Sequence, residues 1–107
     1  MTRELTTQDF NAEIMNGNAP AMVDFYADWC GPCKSMAPTV DQMSIDYTGR
    51  MKIAKVNVDR NPELAQQFGV MSIPTFVFIK NGQVVDKVLG AQSRATMDGL
   101  VKRVLSA

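Results

Sequence analysis

Residues 21–34 read AMVDFYADWCGPCK, and this stretch decides the fold. Its first seven residues carry a single charge, Asp24, and are otherwise dominated by apolar side chains, which predicts a buried strand over 21–27. Cys30 and Cys33 follow directly, and apolar residues then recur at helical spacing. The pattern therefore predicts a strand that ends in a short loop, with a helix beginning immediately after Cys30.

The rest of the chain alternates between helical and strand patterns. Further helices are predicted around Phe10 and Ile14, from Pro62 with Asn61 as its N-cap residue, and from Ser93. Further strands are predicted over 51–58, 75–80, 83–89 and, more weakly, 3–5. Asn81-Gly82 predicts a hairpin between the last two strands. Strand–helix–strand units favour parallel pairing with right-handed crossovers. We expect an α/β domain over 1–107, with helices on both faces of a mixed sheet.

The amino-acid composition limits the classes of function that this chain can have. Of the 107 residues, 46% are hydrophobic and 21% charged, and 11 basic side chains balance 11 acidic ones. A balanced surface gives no electrostatic reason to expect nucleic acid or anionic lipid as a partner. The N-terminus lacks the apolar segment of a signal peptide, and the longest apolar run, 76–79, is too short to span a membrane. The expectation is a cytoplasmic monomer that does not contact membranes.

Two cysteines and no histidine restrict the chemistry further. Histidine-dependent nucleophilic catalysis is excluded, and a structural zinc site would need ligands from a second chain or from carboxylates, so we expect no metal. Haem attachment requires a histidine after the second cysteine, where this chain has Lys34. A purely structural disulfide stays possible, but so short a loop gives little stabilisation. A redox-active cysteine pair is the interpretation that these residues favour.

The position of the pair suggests how it would react. A helix N-terminus presents unpaired N–H groups and a partial positive charge, which lower the pKa of the Cys30 thiol below its usual value of ~8.5. Lys34 adds a positive charge nearby. We expect Cys33, one helical turn further on, to be the more buried sulfur. Gly31 and Pro32 add little bulk, so Cys30 should be open to attack a protein disulfide, and Cys33 should resolve the mixed disulfide.

At this point the sequence resembles the thioredoxin family over nearly its whole length. The matching segments are 24–34, KVNVD at 55–59, IPT at 73–75, KNG at 80–82, and Gly90. Glutaredoxins typically carry Pro-Tyr between the cysteines, and protein disulfide isomerase domains carry Gly-His. The Gly-Pro pair of this chain therefore favours the thioredoxin family over these two. Two departures are Tyr26, where many members have tryptophan, and Met71-Ser72 before the Ile-Pro pair, which would affect the surface that meets partners.

The resemblance implies a thioredoxin fold, with a central mixed five-stranded sheet of order 1-3-2-4-5 flanked by four helices. It implies reduction of protein disulfides, with electrons supplied by a flavin-containing thioredoxin reductase that draws on NADPH or ferredoxin. It also implies that no cofactor is bound, because the dithiol itself carries two electrons.

Site residues follow from the same resemblance. Asp24 corresponds to a buried acid that exchanges a proton with Cys33, and Lys55 to the lysine that faces this acid. Asp59 corresponds to the acid that accepts the indole N–H of Trp29. Simpler interpretations stay open for three of them: a solvent-facing acid on an edge strand for Asp24, a surface lysine for Lys55 and a loop cap for Asp59.

A substrate-docking surface is expected around the cysteines, and Ile73-Pro74 is expected to be a cis peptide beside them. Its residues would be Trp29, Gly31, Pro32, Ile73, Pro74 and Gly90. Gly90 could equally be an ordinary turn glycine. Two rival functions stay open as well: a binding module in which redox turnover is incidental, and an oxidant or isomerase, against which the Gly-Pro pair argues.

Overall fold

A computed structural model describes all 107 residues as a five-stranded sheet covered by helices on both faces. The elements in chain order are β1 (Arg3–Glu4), α1 (Thr7–Phe10, prolonged by a π-helical turn over Asn11–Met15), β2 (Ala21–Tyr26), α2 (Gly31–Asp46), β3 (Lys52–Asn57), α3 (Pro62–Gln67), β4 (Thr75–Lys80), β5 (Gln83–Leu89) and α4 (Arg94–Ser106). None of the helices combines the length and apolar composition that a membrane crossing requires.

The strand order is β1-β3-β2-β4-β5, which confirms the predicted fold class and sheet order. Strands β1, β3 and β2 pair in parallel, and β4 and β5 pair antiparallel. The hairpin between the last two strands turns through Asn81 (φ 54°) and Gly82 (φ 74°), both in the left-handed region that a type I′ turn requires. Strand β2 is central, so Asp24 does not lie on an edge strand.

Alternating side chains of the sheet form two separate apolar layers. Val23 and Phe25 of β2 pack on the same side as α1 and α3. Met22 and, from β4, Phe76 pack on the opposite side against α2 and α4. Asp24 has the same parity as Met22 and therefore points toward α2, the helix that carries the cysteines.

The boundaries of β2 and β3 are shorter than the sequence predicted. The predicted spans 21–27 and 51–58 include Ala27 and Met51, which are buried but lie outside the paired ladder. An apolar pattern indicates which residues are buried, and buried residues continue beyond the last residue that is hydrogen-bonded in the sheet. The helix α2 runs without interruption through Pro38 to Asp46.

Asn61 precedes α3 as predicted, but its side chain makes no hydrogen bond that caps this helix and instead binds the start of α1. Its Oδ1 accepts a hydrogen bond of 2.9 Å from the Thr7 N–H and another from the Thr7 hydroxyl. These bonds satisfy an otherwise unpaired donor at the start of α1. Ser93 opens α4 as predicted, and its Oγ caps this helix by accepting a hydrogen bond of 3.1 Å from the Thr96 N–H.

Candidate active site

The cysteine pair occupies the N-terminus of α2. Cys30 is the N-cap residue, and the two cysteines form a disulfide with a Cα–Cα distance of 5.2 Å. The Cys33 N–H donates to Cys30 Sγ at 3.2 Å. The sulfur of Cys30 therefore receives a helix N–H and the positive end of the helix dipole, an arrangement that stabilises a thiolate when the disulfide opens.

The two cysteines are equally shielded, which differs from the sequence expectation. Cys30 and Cys33 are each 4% exposed, so exposure does not distinguish them in the disulfide form. Cys30 Sγ is covered by Cys33 on one side and lies 3.8 Å from the Ile73 carbonyl oxygen on another. The peptide bond between Ile73 and Pro74 is cis, as predicted. Gly31 and Pro32 are exposed beside the sulfurs.

Asp24 is a buried acid without a hydrogen-bond partner at one oxygen. It is 4% exposed, and its Oδ1 has no partner. Burial raises the pKa of this carboxyl from 3.8 to about 7, and the positive charge of Lys55 opposes the rise. Desolvation outweighs the charge because an ionised carboxylate loses its hydration in the interior. The pKa of the Asp24 carboxyl therefore lies close to neutral pH.

A cavity of about 140 Å³ is bordered by both this acid and Cys33. Its lining residues are Thr2, Asp24, Tyr26, Ala27, Asp28, Cys33, Lys34, Ala37, Val40, Asp41 and Lys55. Cys33 and Asp24 border the same space, whereas Cys30 does not. The cavity is large enough to hold water between them.

Lys55 lies directly beside Asp24 in the sheet, because the parallel register pairs the two residues. Its Nζ lies 5.3 Å from the centroid of the Tyr26 ring. The Tyr26 hydroxyl donates to Glu4 Oε1 at 2.8 Å. Burial raises the pKa of Tyr26 to about 12, so the phenol keeps its proton and remains a donor. Tyr26 thus contributes an aromatic wall to the cavity and binds β1 through its hydroxyl.

The loop before the cysteines is held by the loop that follows β3. Trp29 is 69% exposed, and its indole N–H donates to Asp59 Oδ2 at 2.8 Å, the contact that the sequence predicted. Next to it, Arg60 forms a salt bridge of 3.1 Å with Asp28. Asn57 Oδ1 accepts the backbone N–H groups of both Asp59 and Arg60 and so fixes the loop that supplies these contacts.

An apolar groove borders the disulfide on the Trp29 side. It encloses about 350 Å³ and is lined by Trp29, Val58, Val70, Met71, Ser72 and Ile73. Met71 is 94% exposed at its rim, unlike the buried methionines of the core. The sequence pointed to Met71 but not to Val58 or Val70, because their apolar character alone does not distinguish them from core residues.

Gly90 lies next to Pro74, because its N–H donates to the Pro74 carbonyl at 2.8 Å. Its φ of +84° is in the left-handed region, where a side chain is strained. A Cβ at this position would meet no heavy atom within 4 Å. The backbone conformation therefore accounts for glycine here without any close contact inside the chain.

Two further residues at the cavity were not predicted. Asp41 and Thr2 both line it, and they are hydrogen-bonded to each other across 39 residues of sequence. The one local signal was helical spacing, since Asp41 follows Cys33 by eight residues on α2 and so falls near the same face. No group of three or more metal-binding side chains is clustered in the structure.

The two cysteines form a disulfide at the start of the helix that follows the central strand of this sheet. This arrangement defines a thiol–disulfide oxidoreductase. The family model described as Thioredoxin matches residues 1–103. The chain belongs to the thioredoxin family, whose members exchange electrons through a dithiol–disulfide pair without a bound cofactor and work with a thioredoxin reductase.

Known proteins are similar in sequence to this chain over most of its length. Thioredoxin 1 of Nostoc is 42% identical over 102 residues, which cover 95% of each chain. Thioredoxin 2 of Chlorobaculum tepidum is 51% identical over 88 residues, or 82% of this chain and 81% of that protein. A bifunctional thioredoxin reductase/thioredoxin of Mycobacterium leprae is 40% identical over 97 residues, which are 91% of this chain and 21% of that protein.

Proposed function

We propose that Cys30 is the nucleophile and Cys33 the resolving cysteine in the reduction of protein disulfides. The observation that carries this assignment is the asymmetry of the site. Cys30 receives the N–H of the first helical turn, whereas Cys33 borders the cavity that also contains Asp24. A thiolate is thus favoured at Cys30, and a proton acceptor is available to Cys33.

The proposed reaction has two exchange steps. The Cys30 thiolate attacks one sulfur of the target disulfide, so a mixed disulfide forms and the other target sulfur leaves as a thiolate that takes a proton. Cys33 then loses its proton to the Asp24 carboxylate and attacks Cys30 Sγ. The second target thiolate leaves, and the Cys30–Cys33 disulfide remains. Two electrons have passed to the target.

Lys55 is proposed to adjust the proton affinity of Asp24. Its charge lowers the pKa of Asp24 while burial raises it, and the balance falls at about 7. Near neutral pH the carboxyl is therefore divided between its two protonation states. A group in this condition can both accept the Cys33 proton and return it in the reverse direction.

The docking surface is proposed to combine the apolar groove with the backbone beside Cys30. Trp29 and Ile73 line the groove, and the Ile73 carbonyl lies 3.8 Å from Cys30 Sγ. An extended segment of the target could pair with this backbone and place an apolar side chain in the groove. Gly31, Pro32, Pro74 and Gly90 complete the surface by leaving room around the sulfurs, and Asp59 orients Trp29.

We further propose that residues 1–107 form a single domain that works as a monomer in the cytoplasm. Its electron donor would be a thioredoxin reductase and its substrates disulfide-containing proteins. The dithiol needs no metal or organic cofactor for this exchange. The cytoplasm is chosen because reductive systems keep thiols reduced there.

Insulin reduction with dithiothreitol as electron source tests the assignment. Cys30→Ser should abolish turnover, whereas Cys33→Ser should accumulate a mixed disulfide that mass spectrometry detects. Ser35→Ala, which changes an exposed residue of the same helical turn, is the matched control and should retain normal turnover. Normal turnover by Cys30→Ser would refute the assignment, and absence of turnover in the wild type would favour a binding module instead.

A further inference from the structure

The Thr2–Asp41 pair forms one side of the cavity that contains Asp24. The backbone N–H and the hydroxyl of Thr2 both donate to Asp41 Oδ1, at 2.9 and 2.5 Å. Thr2 is 6% exposed, so this contact fastens the start of the chain to α2 in a shielded position. The pair is not part of the cysteine chemistry described above.

Asp41 shares its helix face with the resolving cysteine. Cys33, Ala37 and Asp41 are spaced four residues apart on α2, and all three line the cavity. Residues at this spacing lie above one another on a helix. Asp41 is therefore the acid that α2 presents to the cavity, two turns beyond Cys33.

Lys55 lies among three acids and forms a salt bridge with none of them. The sheet register places Glu4 on one side of it and Asp24 on the other. Asp41 approaches from α2, and the charge of Lys55 lowers the pKa of both Asp41 and Asp24. The Lys55 ammonium thus interacts electrostatically with two carboxylates that line the same cavity.

Asp41 differs from Glu4 and Asp28 in having no salt-bridge partner. Glu4 and Asp28 are both paired with Arg60. Asp41 instead accepts only the two Thr2 hydrogen bonds, which hold its pKa below the usual value and keep it ionised near neutral pH. Its negative charge therefore remains available to Lys55.

We propose that Asp41 is a positioning residue, which shares the Lys55 ammonium with Asp24 and so limits how strongly Lys55 favours the ionised form of the buried carboxyl. This inference rests on the proton-transfer role proposed for Asp24. The other charged groups that face the cavity are Asp28, which pairs with Arg60, Lys34 of α2 and the amino terminus beside Thr2. None of them is changed by the substitutions below.

Asp41→Asn tests the assignment, because it removes the charge with little change of shape. Lys55 would then be attracted to Asp24 without competition, and Asp24 would lose a like charge across the cavity. Both effects lower the pKa of Asp24, and we expect a decrease of about half a unit or more. The measurements are the NMR titration of the Asp24 carboxyl carbon in the disulfide form and the pH profile of insulin reduction.

Two variants control for charge in general. Asp41→Glu keeps the charge and should hold the Asp24 titration near its wild-type midpoint. Asp46→Asn removes an acid from the same helix outside the cavity, where it pairs with Arg94, and should also leave the midpoint unchanged. An unchanged or raised Asp24 pKa in Asp41→Asn, or an equal decrease in Asp46→Asn, would overturn the proposal.

A second substitution covers the case in which Asp41→Asn does not fold. Thr2→Val keeps the Asp41 charge but removes the hydroxyl bond, which frees the carboxylate to approach Lys55. The Asp24 midpoint should then stay at the wild-type value or rise, and a decrease would overturn the assignment. If wild-type Asp24 shows no titration near neutral pH, the proton-transfer role fails and the positioning role with it. If Asp24 titrates but Asp41→Asn does not shift it, only the positioning role fails.

Discussion

Replacing Asp24 with asparagine should stabilise the protein in mildly alkaline solution. The buried carboxyl has no hydrogen-bond partner at Oδ1, and burial raises its pKa above the ordinary value. The native state therefore binds this proton more tightly than the unfolded state does. The stability that this group contributes is fully present below its unfolded pKa and is lost as pH rises through the native pKa.

The size of the effect follows from the two pKa values. The shift from 3.8 to about 7 spans roughly three units. At 1.36 kcal/mol per unit, the ionised side chain destabilises the fold by about 4 kcal/mol once pH exceeds the native pKa. Asparagine is similar in shape and stays neutral, so Asp24→Asn should avoid this loss. The difference in the free energy of unfolding between Asp24→Asn and the wild type should vanish as pH falls toward the pKa that Asp24 has in the unfolded state.

Urea denaturation of the disulfide forms at a series of pH values measures this difference. We expect Asp24→Asn to exceed the wild type by about 4 kcal/mol near pH 9, and by much less near pH 5. Glu63→Gln, which neutralises an exposed acid at the start of α3, should show a small difference that does not change over this range. A constant difference between Asp24→Asn and the wild type from pH 5 to pH 9 would refute the argument.

Other substitutions address the neighbouring contacts. Lys55→Gln should raise the pKa of Asp24 further, because the lysine charge lowers it, and the stability transition should move to higher pH; a move to lower pH would contradict this. Met71→Asp should weaken insulin reduction several-fold by placing a charge at the groove rim, while the reaction of reduced Cys30 with a small thiol reagent stays unchanged. Asp59→Ala should free the indole of Trp29, which lowers its fluorescence anisotropy at a stability cost of about 1 kcal/mol or less, and an unchanged anisotropy would show that the bond does not restrain it.

Local sequence signals predicted the parts of the fold that depend on neighbouring residues. The bounds of β4 and β5 agree with the prediction because Asn81-Gly82 defines the turn between them. The cap at Ser93 and the start of α2 after Cys30 likewise depend on a few adjacent residues. The ends of β2 and β3 were less exact, because burial extends beyond the strand ladder.

The cavity could not be predicted in the same way. The bond between Thr2 and Asp41 joins residues 39 positions apart, and apart from the helical spacing of Asp41 from Cys33 no local pattern marks either of them. The equal shielding of Cys30 and Cys33 was missed as well, because it depends on the Ile73 carbonyl, which a distant loop brings against the sulfur. The family resemblance located Asp24 and Lys55, but the way in which Lys55 is shared depends on three-dimensional packing.

The disulfide closes a loop of only four residues, 30–33. In the chain-entropy account, so short a crosslink restrains the unfolded chain by roughly 2 kcal/mol, against about 4.7 kcal/mol for a loop of 100 residues. The crosslink joins the N-cap residue of α2 to the first turn of the same helix, so we expect the sheet and its helices to persist when it opens. Oxidation and reduction are thus nearly decoupled from folding, which allows one molecule to pass through many catalytic cycles without unfolding.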